Sequence, residues 1–277
     1  MFWFRFCVKI LLPLSDRQRL QLQDAIESVE REAVENSMIR VTVWNEHFHE
    51  QNDAMVRIIY QQGIQGCIAK GLRADKDLKV QTATFEMREH GLTEEVLENT
   101  DVLIFWSHVK HDEFSDEVAE RIKRHVLNGM GFIPLHSAHG SKPVKLLLGT
   151  SMTLRWKHGD RERLFCTAPT HPIAAGLPPY FEIPQEEMYG EYFDIPKPDD
   201  VVFTGWFAGG EVFRSGCTFT RGYGKIFYFQ PGHEEYPTYY IPEVQQILRN
   251  AVHFCAPVVR KTGELSCTQV EKSLEKR

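Results

Sequence analysis

The feature that most narrows the fold is an alternation, from Met38 onward, between short apolar runs and amphipathic segments. The runs within Asp101–Trp106 (DVLIFW) and Phe132–Leu135 (FIPL) show no polar/apolar alternation. A strand that reads apolar on both faces is covered on both, as in a parallel sheet sandwiched between helices. Between the runs the period changes. Ser115–Gly129 starts on a capping serine, aligns Val118, Ile122 and Val126 as a stripe, and stops at glycine, which predicts a helix. Ile39–Trp44 and Leu78–Phe85 read as strands. Asn52–Gly71 reads as one or two helices carrying Met55, Ile58, Ile59, Ile64 and Ile68, and Ser141–Gly149 as a short helix. Strands alternating with helices build βαβ units.

After Thr150 the pattern becomes richer in β. MTLRW, RLFCTA, VVFTGWF and EVFRSGCTFTRGYGKIFYFQPG read as strands, the last a hairpin turning near Arg221–Gly224. Ile241–Ala256 closes the domain as a helix, with Pro242 suited to its first turn. The expectation is an α/β fold, a three-layer α/β/α sandwich whose sheet is mostly parallel, with added β-hairpins in the second half. One domain is expected over residues 38–257, followed by a polar tail at 258–277. Residues 1–37 are set apart as an extension. Their start (MFWFRFCVKILLPLS) is broken by Arg5 and Lys9 and lacks a small-residue cleavage site, and Leu22, Ile26 and Val29 suggest a surface helix.

The chain of 277 residues carries a net charge of −6, which argues against a nucleic-acid or anionic-membrane surface. No run approaches the roughly 20 apolar residues of a membrane span. The six cysteines form no CxxC pair, a pattern suited to a reducing cytoplasm.

Ligands in open α/β sheets bind outside the carboxyl ends of the strands. Histidines gather there: His47 and His49 after Trp44, His108 and His111 after Trp106, His136 and His139 after Leu135, and His233 after Phe229. Asn45–Glu46, the pair His233–Glu234, and Trp44 and Trp106 share these exits. The run EHFHE lacks the i,i+4 histidine spacing of HExxH.

The same residues carry a resemblance. MIRVTVWNEHFHE, DVLIFWSHVKHDE, GFIPLHSAHGSK, THPIAAGLP, EEMYGEYFDIP, GGEVFRSGCTF and GKIFYFQPGHEEYPTYY resemble, in order, the blocks of the ThuA-like, trehalose-utilisation family. The resemblance spans Met38 to Pro257. It implies a class I glutamine amidotransferase-like, flavodoxin-like sandwich, and a role in catabolism of trehalose and related disaccharides beside sugar transporters and oxidoreductases. In the amidotransferases a cysteine nucleophile follows the elbow strand. Here His136 matches that position, or Ser137 if the alignment slips by one, and His233–Glu234 match the partner pair. Without the cysteine, thiolate attack on glutamine has no nucleophile, so glutaminase activity is not expected. Ser107 and Ala138 stand where the family pattern has glycine.

The leading reading is an enzyme acting on a sugar or keto-sugar derivative by isomerisation, enolisation or hydrolysis. Its catalytic candidates are His136, His233, Glu234 and Glu46. Trp44 and Trp106, with Trp206, would offer flat faces to a sugar ring. Asn45, Arg214, His139, Tyr189 and Glu191 complete the substrate candidates. The histidines act either as acid and base or as ligands of a divalent transition metal, zinc foremost, with His49, His108, His111, His136 and His233 as candidates. No nucleotide cofactor is expected. Paired carboxylates for glycoside hydrolysis (Glu187 with Glu191, or Glu46 with Glu234) are less favoured, as is a thiol hydrolase using Cys166 or Cys217. The alternative is a non-catalytic sugar-binding or regulatory module. A homo-oligomer is expected, with Glu234–Glu243 (EEYPTYYIPE) as an interface or a lid.

Overall fold

The computed structural model describes residues 38–272 and Glu275; the extension at 1–37, with its expected helix, lies outside them. In chain order the elements are β1 (Ile39–Asn45), α1 (Phe48–Asn52), α2 (Ala54–Ile59), α3 (Gly63–Leu72), β2 (Leu78–Thr84), α4 (Glu94–Glu98), β3 (Val102–Trp106) and α5 (Asp116–Leu127). Then follow β4 (Gly131–Leu135), α6 (Lys142–Leu148), β5 (Arg155–Cys166), β6 (Tyr180–Gly190), β7 (Asp200–Phe207), β8 (Val212–Arg221), β9 (Gly224–Phe229) and α7 (Pro242–Cys255).

The strands form one sheet in the order β2-β1-β3-β4-β9-β8-β7-β5-β6. From β2 to β9 neighbours are parallel, and from β9 to β6 they are antiparallel. The parallel half has the flavodoxin-like order, in which connections leave β1 in opposite directions and open a crevice at the β1/β3 exits. The expected hairpins therefore extend the same sheet.

Strand alternation sorts the core into two layers. Val102, Ile104 and Trp106 of β3 join Ile64, Ile68 and Leu72 of α3 and Val244, Ile247 and Leu248 of α7 on one face. Leu103 and Phe105 join Val118, Ile122 and Val126 of α5 on the other. The α5 helix begins where the capping serine places it, with Ser115 accepting from the Val118 amide at 3.4 Å.

Three expectations need correction. MTLRW and RLFCTA are not separate strands, because β5 runs unbroken through the polar residues between them and pairs with both β6 and β7. The strand β6 was not anticipated. Pro184 and its three glutamates mask a period-two burial of Phe181 and Ile183, tolerated because β6 is an edge strand. The segment Glu234–Glu243 is largely a wall and not an exposed flap: Tyr236 and Tyr239 are buried, and Tyr60 donates its hydroxyl to the Tyr236 carbonyl at 2.6 Å.

The edge opposite the crevice is held by Asp101 at the entry to β3. Its carboxylate accepts from the Arg40 amide (2.9 Å), Arg40 Nε (2.9 Å), Arg40 NH2 (2.7 Å) and Arg260 NH1 (3.3 Å). Burial pushes the Asp101 carboxyl up, but the Arg40 hydrogen bonds outweigh it and hold the pKa below its ordinary value. A depressed native pKa contributes stability above the unfolded value, near 3.9, which is lost as pH falls through the native one. Asp101→Asn should lower stability by about 1–2 kcal/mol in chemical denaturation at pH 7. The gap to wild type should narrow in acid, and a pH-independent gap would refute this account.

Candidate functional site

The exits of β1, β3 and β9 are each pinned by a buried carboxylate or amide. After β1, the Asn45 side chain donates to Glu50 Oε1 and to Gln65 Oε1, each at 2.7 Å, and accepts from the His47 amide at 3.0 Å. His47 takes a left-handed backbone, φ 59°, to turn the chain into α1, which carries His49. Glu46, fully buried, accepts from Ser107 Oγ (3.0 Å), the His108 amide (2.8 Å) and the Val109 amide (3.0 Å). It ties the β3 exit to the β1 exit and so positions His108. After β9, Glu186 accepts from the Gly232 amide (2.8 Å), the His233 amide (3.0 Å) and Thr238 Oγ1 (2.8 Å). Gly232 has φ 136°, and a Cβ there would enter the Tyr239 ring, so the turn that delivers His233 demands glycine.

These exits converge on one cluster. Glu234 lies 3.0 Å from His108 Nδ1 through Oε2 and 3.3 Å from His49 Nδ1 through Oε1. Its neighbour His233 places Nε2 3.7 Å from Glu234 Oε2 and 3.9 Å from Glu187 Oε1. Glu187 and Tyr189, two residues apart on β6, both reach the ring of His136: Glu187 Oε2 is 3.1 Å and the Tyr189 hydroxyl 3.4 Å from Nε2. At the rim, His158 of β5 sits edge-on to His233, with Nδ1 3.9 Å from Glu187 Oε1. Trp156, two residues earlier, is 59% exposed and edge-on to His158.

The surroundings assign different protonation to these rings. His136 Nδ1 faces the Gln230 carbonyl at 2.9 Å and Nε2 faces Glu187. Acceptors facing both nitrogens favour the doubly protonated ring. Burial pulls its pKa down, but Glu187 outweighs burial and raises it. His233 goes the other way: burial, with the charge of His136 behind it, depresses its pKa to about 3. Burial opposes ionisation of Glu234, yet His108, His233 and His49 hold its pKa down to about 2.

Several candidates lie elsewhere. Trp44 is fully buried, stacked on Phe105 at 4.2 Å, so it shows no face to a ligand. Trp106 is also fully buried, donating to the Gly232 carbonyl at 2.9 Å beneath His49 and His108. Trp206 lies under Arg161 and Arg163. Asn45 and Glu46 hold loops, as described, and are not aimed at a ligand. Glu191 and Arg214 close on each other at 2.8 and 2.9 Å. His139 stands among the rings of Tyr189, Phe193 and Tyr228, where burial pushes its pKa to about 3. His111 packs against Gly140 and belongs to none of the ligand-spaced groups. Those groups are His49–His108–Glu234, His108–Glu187–His233 and His158–His233–Glu235. Glu187, His158 and Trp156 were not picked out as ligand, rim base and platform. Trp156 ends the expected strand MTLRW and His158 falls in the polar stretch between the two expected strands, while Glu187 sits on the unanticipated β6.

Five parallel strands in flavodoxin-like order, helices on both faces and polar exits along one edge define a flavodoxin-like α/β/α sandwich. The ThuA family model, described as trehalose utilisation, matches residues 40–255, and the chain belongs to that family. A ThuA-like protein of Parabacteroides merdae superposes with a TM-score of 0.56 at 14% identity, covering 82% of this chain and 92% of that one. A ThuA-like protein of Bacteroides uniformis gives 0.54 at 15% identity, covering 78% and 89%. A cytoplasmic protein of Salmonella typhimurium gives 0.51 at 13% identity, covering 79% and 100%. These likenesses show the fold. No curated protein matches the chain. Among the described residues no helix is long and apolar enough to cross a membrane.

The His136–Glu187 pair makes a direct test. In histidine-ring ¹⁵N NMR, His136 should remain an imidazolium above about pH 6.5, the ordinary histidine value. Glu187→Gln should lower its titration from the wild-type value, because burial is then opposed only by Glu186 and the Gln230 carbonyl. A neutral wild-type ring at pH 6 would contradict the assignment.

Proposed function

We propose that the chain is a cytoplasmic enzyme of trehalose and related sugar utilisation. It acts on a sugar or keto-sugar derivative at the β1/β3 crevice with a divalent transition metal, zinc foremost. The observation that carries this reading is the buried His233 Nε2, which has no hydrogen-bond partner and stands 3.9 Å from Glu187 Oε1 and 3.7 Å from Glu234 Oε2, too far for a hydrogen bond. That spacing suits ligands of one ion whose bonds are about 2.0–2.2 Å. An unsatisfied buried imidazole nitrogen costs free energy that a cation would remove.

His233, Glu187 and His108, whose ligand atoms lie within 4.8 Å of one another, would hold the ion. When bound, such an ion polarises a carbonyl or hydroxyl oxygen as a Lewis acid. The other residues take roles from their positions. His136 keeps Glu187 ionised and oriented. His158, exposed and close to Glu187, exchanges a proton with a ligand at the rim. Trp156 takes the stacking role first given to Trp44 and Trp106, since it alone among the three tryptophans presents an open face beside the cluster. Sugar oxidoreductases and transporters as functional neighbours, and a homo-oligomeric state, belong to the same proposal.

Untagged protein should contain a stoichiometric transition metal by elemental analysis, and should convert 3-keto-trehalose or trehalose with loss of turnover on chelation. Trp156→Ala should raise KM about 3- to 10-fold, the worth of one aromatic contact, with metal content unchanged. A metal-free protein that binds either sugar without converting it would overturn the enzyme reading in favour of a binding module.

A further inference from the structure

Next to the cluster lies a buried acid to which the reading above gives no role. Glu162 of β5 is fully buried, and its Oε2 has no hydrogen-bond partner. The arginines on either side of it in the chain, Arg161 and Arg163, lie over the Trp206 ring and pair with Glu182. A carboxylate left in that position would be a buried charge without a cation.

Counting hydrogens shows what Glu162 does instead. Ser215 Oγ lies 3.0 Å from Glu162 Oε1 and 3.0 Å from Gln230 Oε1. The Gln230 amide is fixed by its other end, which lies 3.2 Å from the Glu187 main-chain carbonyl and must be the NH2. Three oxygens therefore meet in two contacts, and a serine hydroxyl brings only one hydrogen. The second has to come from Glu162. The pair is closely built: a Cβ at Gly205 would lie 2.2 Å from Glu162 Oε1 and 2.5 Å from Ser215 Oγ, so this strand position demands glycine.

The groups facing Glu162 agree. Glu186 of β6 accepts from the amides of Glu187, Gly232 and His233 and from Thr238 Oγ1, donors that favour its charged form. Of the two buried acids, Glu162 is thus the one that keeps its proton. Tyr228 of β9 adds no charge, since burial pushes its phenol well above the ordinary pKa. Burial, with Glu186 behind it, pushes the Glu162 carboxyl well above its ordinary value.

We propose that Glu162 is a neutral carboxylic acid and a positioning residue for the cluster. It donates to Ser215, Ser215 donates to Gln230 Oε1, and Gln230 Nε2 donates to the Glu187 carbonyl. The main-chain carbonyl of the same Gln230 faces His136 Nδ1 at 2.9 Å. One buried proton thereby helps to hold both members of the His136–Glu187 pair. The inference goes beyond the metal reading and stands whether or not an ion is bound.

The first test is the infrared difference spectrum between the wild-type full chain and Glu162→Gln at neutral pH. A protonated-carboxyl band that shifts in D₂O should belong to wild type alone; carboxylate bands in its place would overturn the proposal. The second is stability against pH. A raised native pKa makes wild type lose stability as pH rises from the unfolded value, about 4.3 for Glu, toward the native one, whereas the glutamine does not titrate. The melting temperature of Glu162→Gln relative to wild type should climb between about pH 5 and about pH 8, and a constant difference would overturn the neutral acid. For positioning, the His136 Nδ1 signal in ¹⁵N NMR should stay in place in Glu162→Gln, whose amide supplies the same hydrogen, and shift in Ser215→Ala. No shift in Ser215→Ala, or an equal shift in both, would overturn the positioning role. Circular dichroism checks folding. Should either variant fail to fold, the Glu162 carboxyl ¹³C resonance of wild type at neutral pH decides, with a protonated position expected and an ionised one the contrary result.

Discussion

The site depends on buried carboxylates that satisfy backbone amides at the strand exits. Where a parallel strand ends, its following amides lose their ladder partners while still shielded from water, and an orphaned buried amide costs about 1–3 kcal/mol. Glu46 meets this cost for His108 and Val109, and Glu186 meets it for Gly232 and His233. Each carboxylate belongs to a different strand from the loop it holds. The two exits are thus fixed relative to the sheet, and the imidazoles they carry inherit that fixity.

The acidic residues therefore divide by what they face. Glu46 and Glu186 spend their oxygens on main-chain donors. Glu187 and Glu234 face the side chains of His136, His108 and His49. The imidazoles divide in the same way: His136 has its two nitrogens occupied by acceptors, whereas His233 Nε2 is free. Composition cannot make this distinction, because the same residue types appear on both sides of it.

That division explains what could be read from the sequence. The parallel half was legible because its strands are uniformly apolar and its helices periodic, and the convergence of histidines followed from topology. His49, His108, His233 and Glu234 do meet there. Trp44 and Trp106 misled because a tryptophan at a strand end looks alike whether it faces a ligand or the core. Only packing against Phe105, or beneath His49 and His108, decides it. Glu187 was not legible as a member of the cluster. It arrives on β6, an edge strand containing Pro184, which joins the sheet far along in order from β4 yet folds its end back onto the His136 ring. Glu46 carried the right position and the wrong role, since its three donors are backbone and serine groups invisible to any motif.

The elbow after β4 can be followed one step further. His136 has φ 50°, a left-handed conformation that costs a non-glycine residue about 1–3 kcal/mol and persists only where its surroundings hold it. In an amidotransferase-like arrangement that turn would present a nucleophile. Here the residue is fully buried and bonded at both nitrogens. Ser137, the other residue at the turn, engages the Tyr189 hydroxyl at 2.9 Å. Burial pushes the Tyr189 phenol well above its ordinary pKa, so it cannot take a proton from the serine. Neither elbow residue is thereby an attacking group. What the strained turn does achieve is to aim a fixed positive charge at Glu187, which keeps that carboxylate ionised against its burial. The left-handed turn thus serves to seat a buried imidazole between Glu187 and the Gln230 carbonyl.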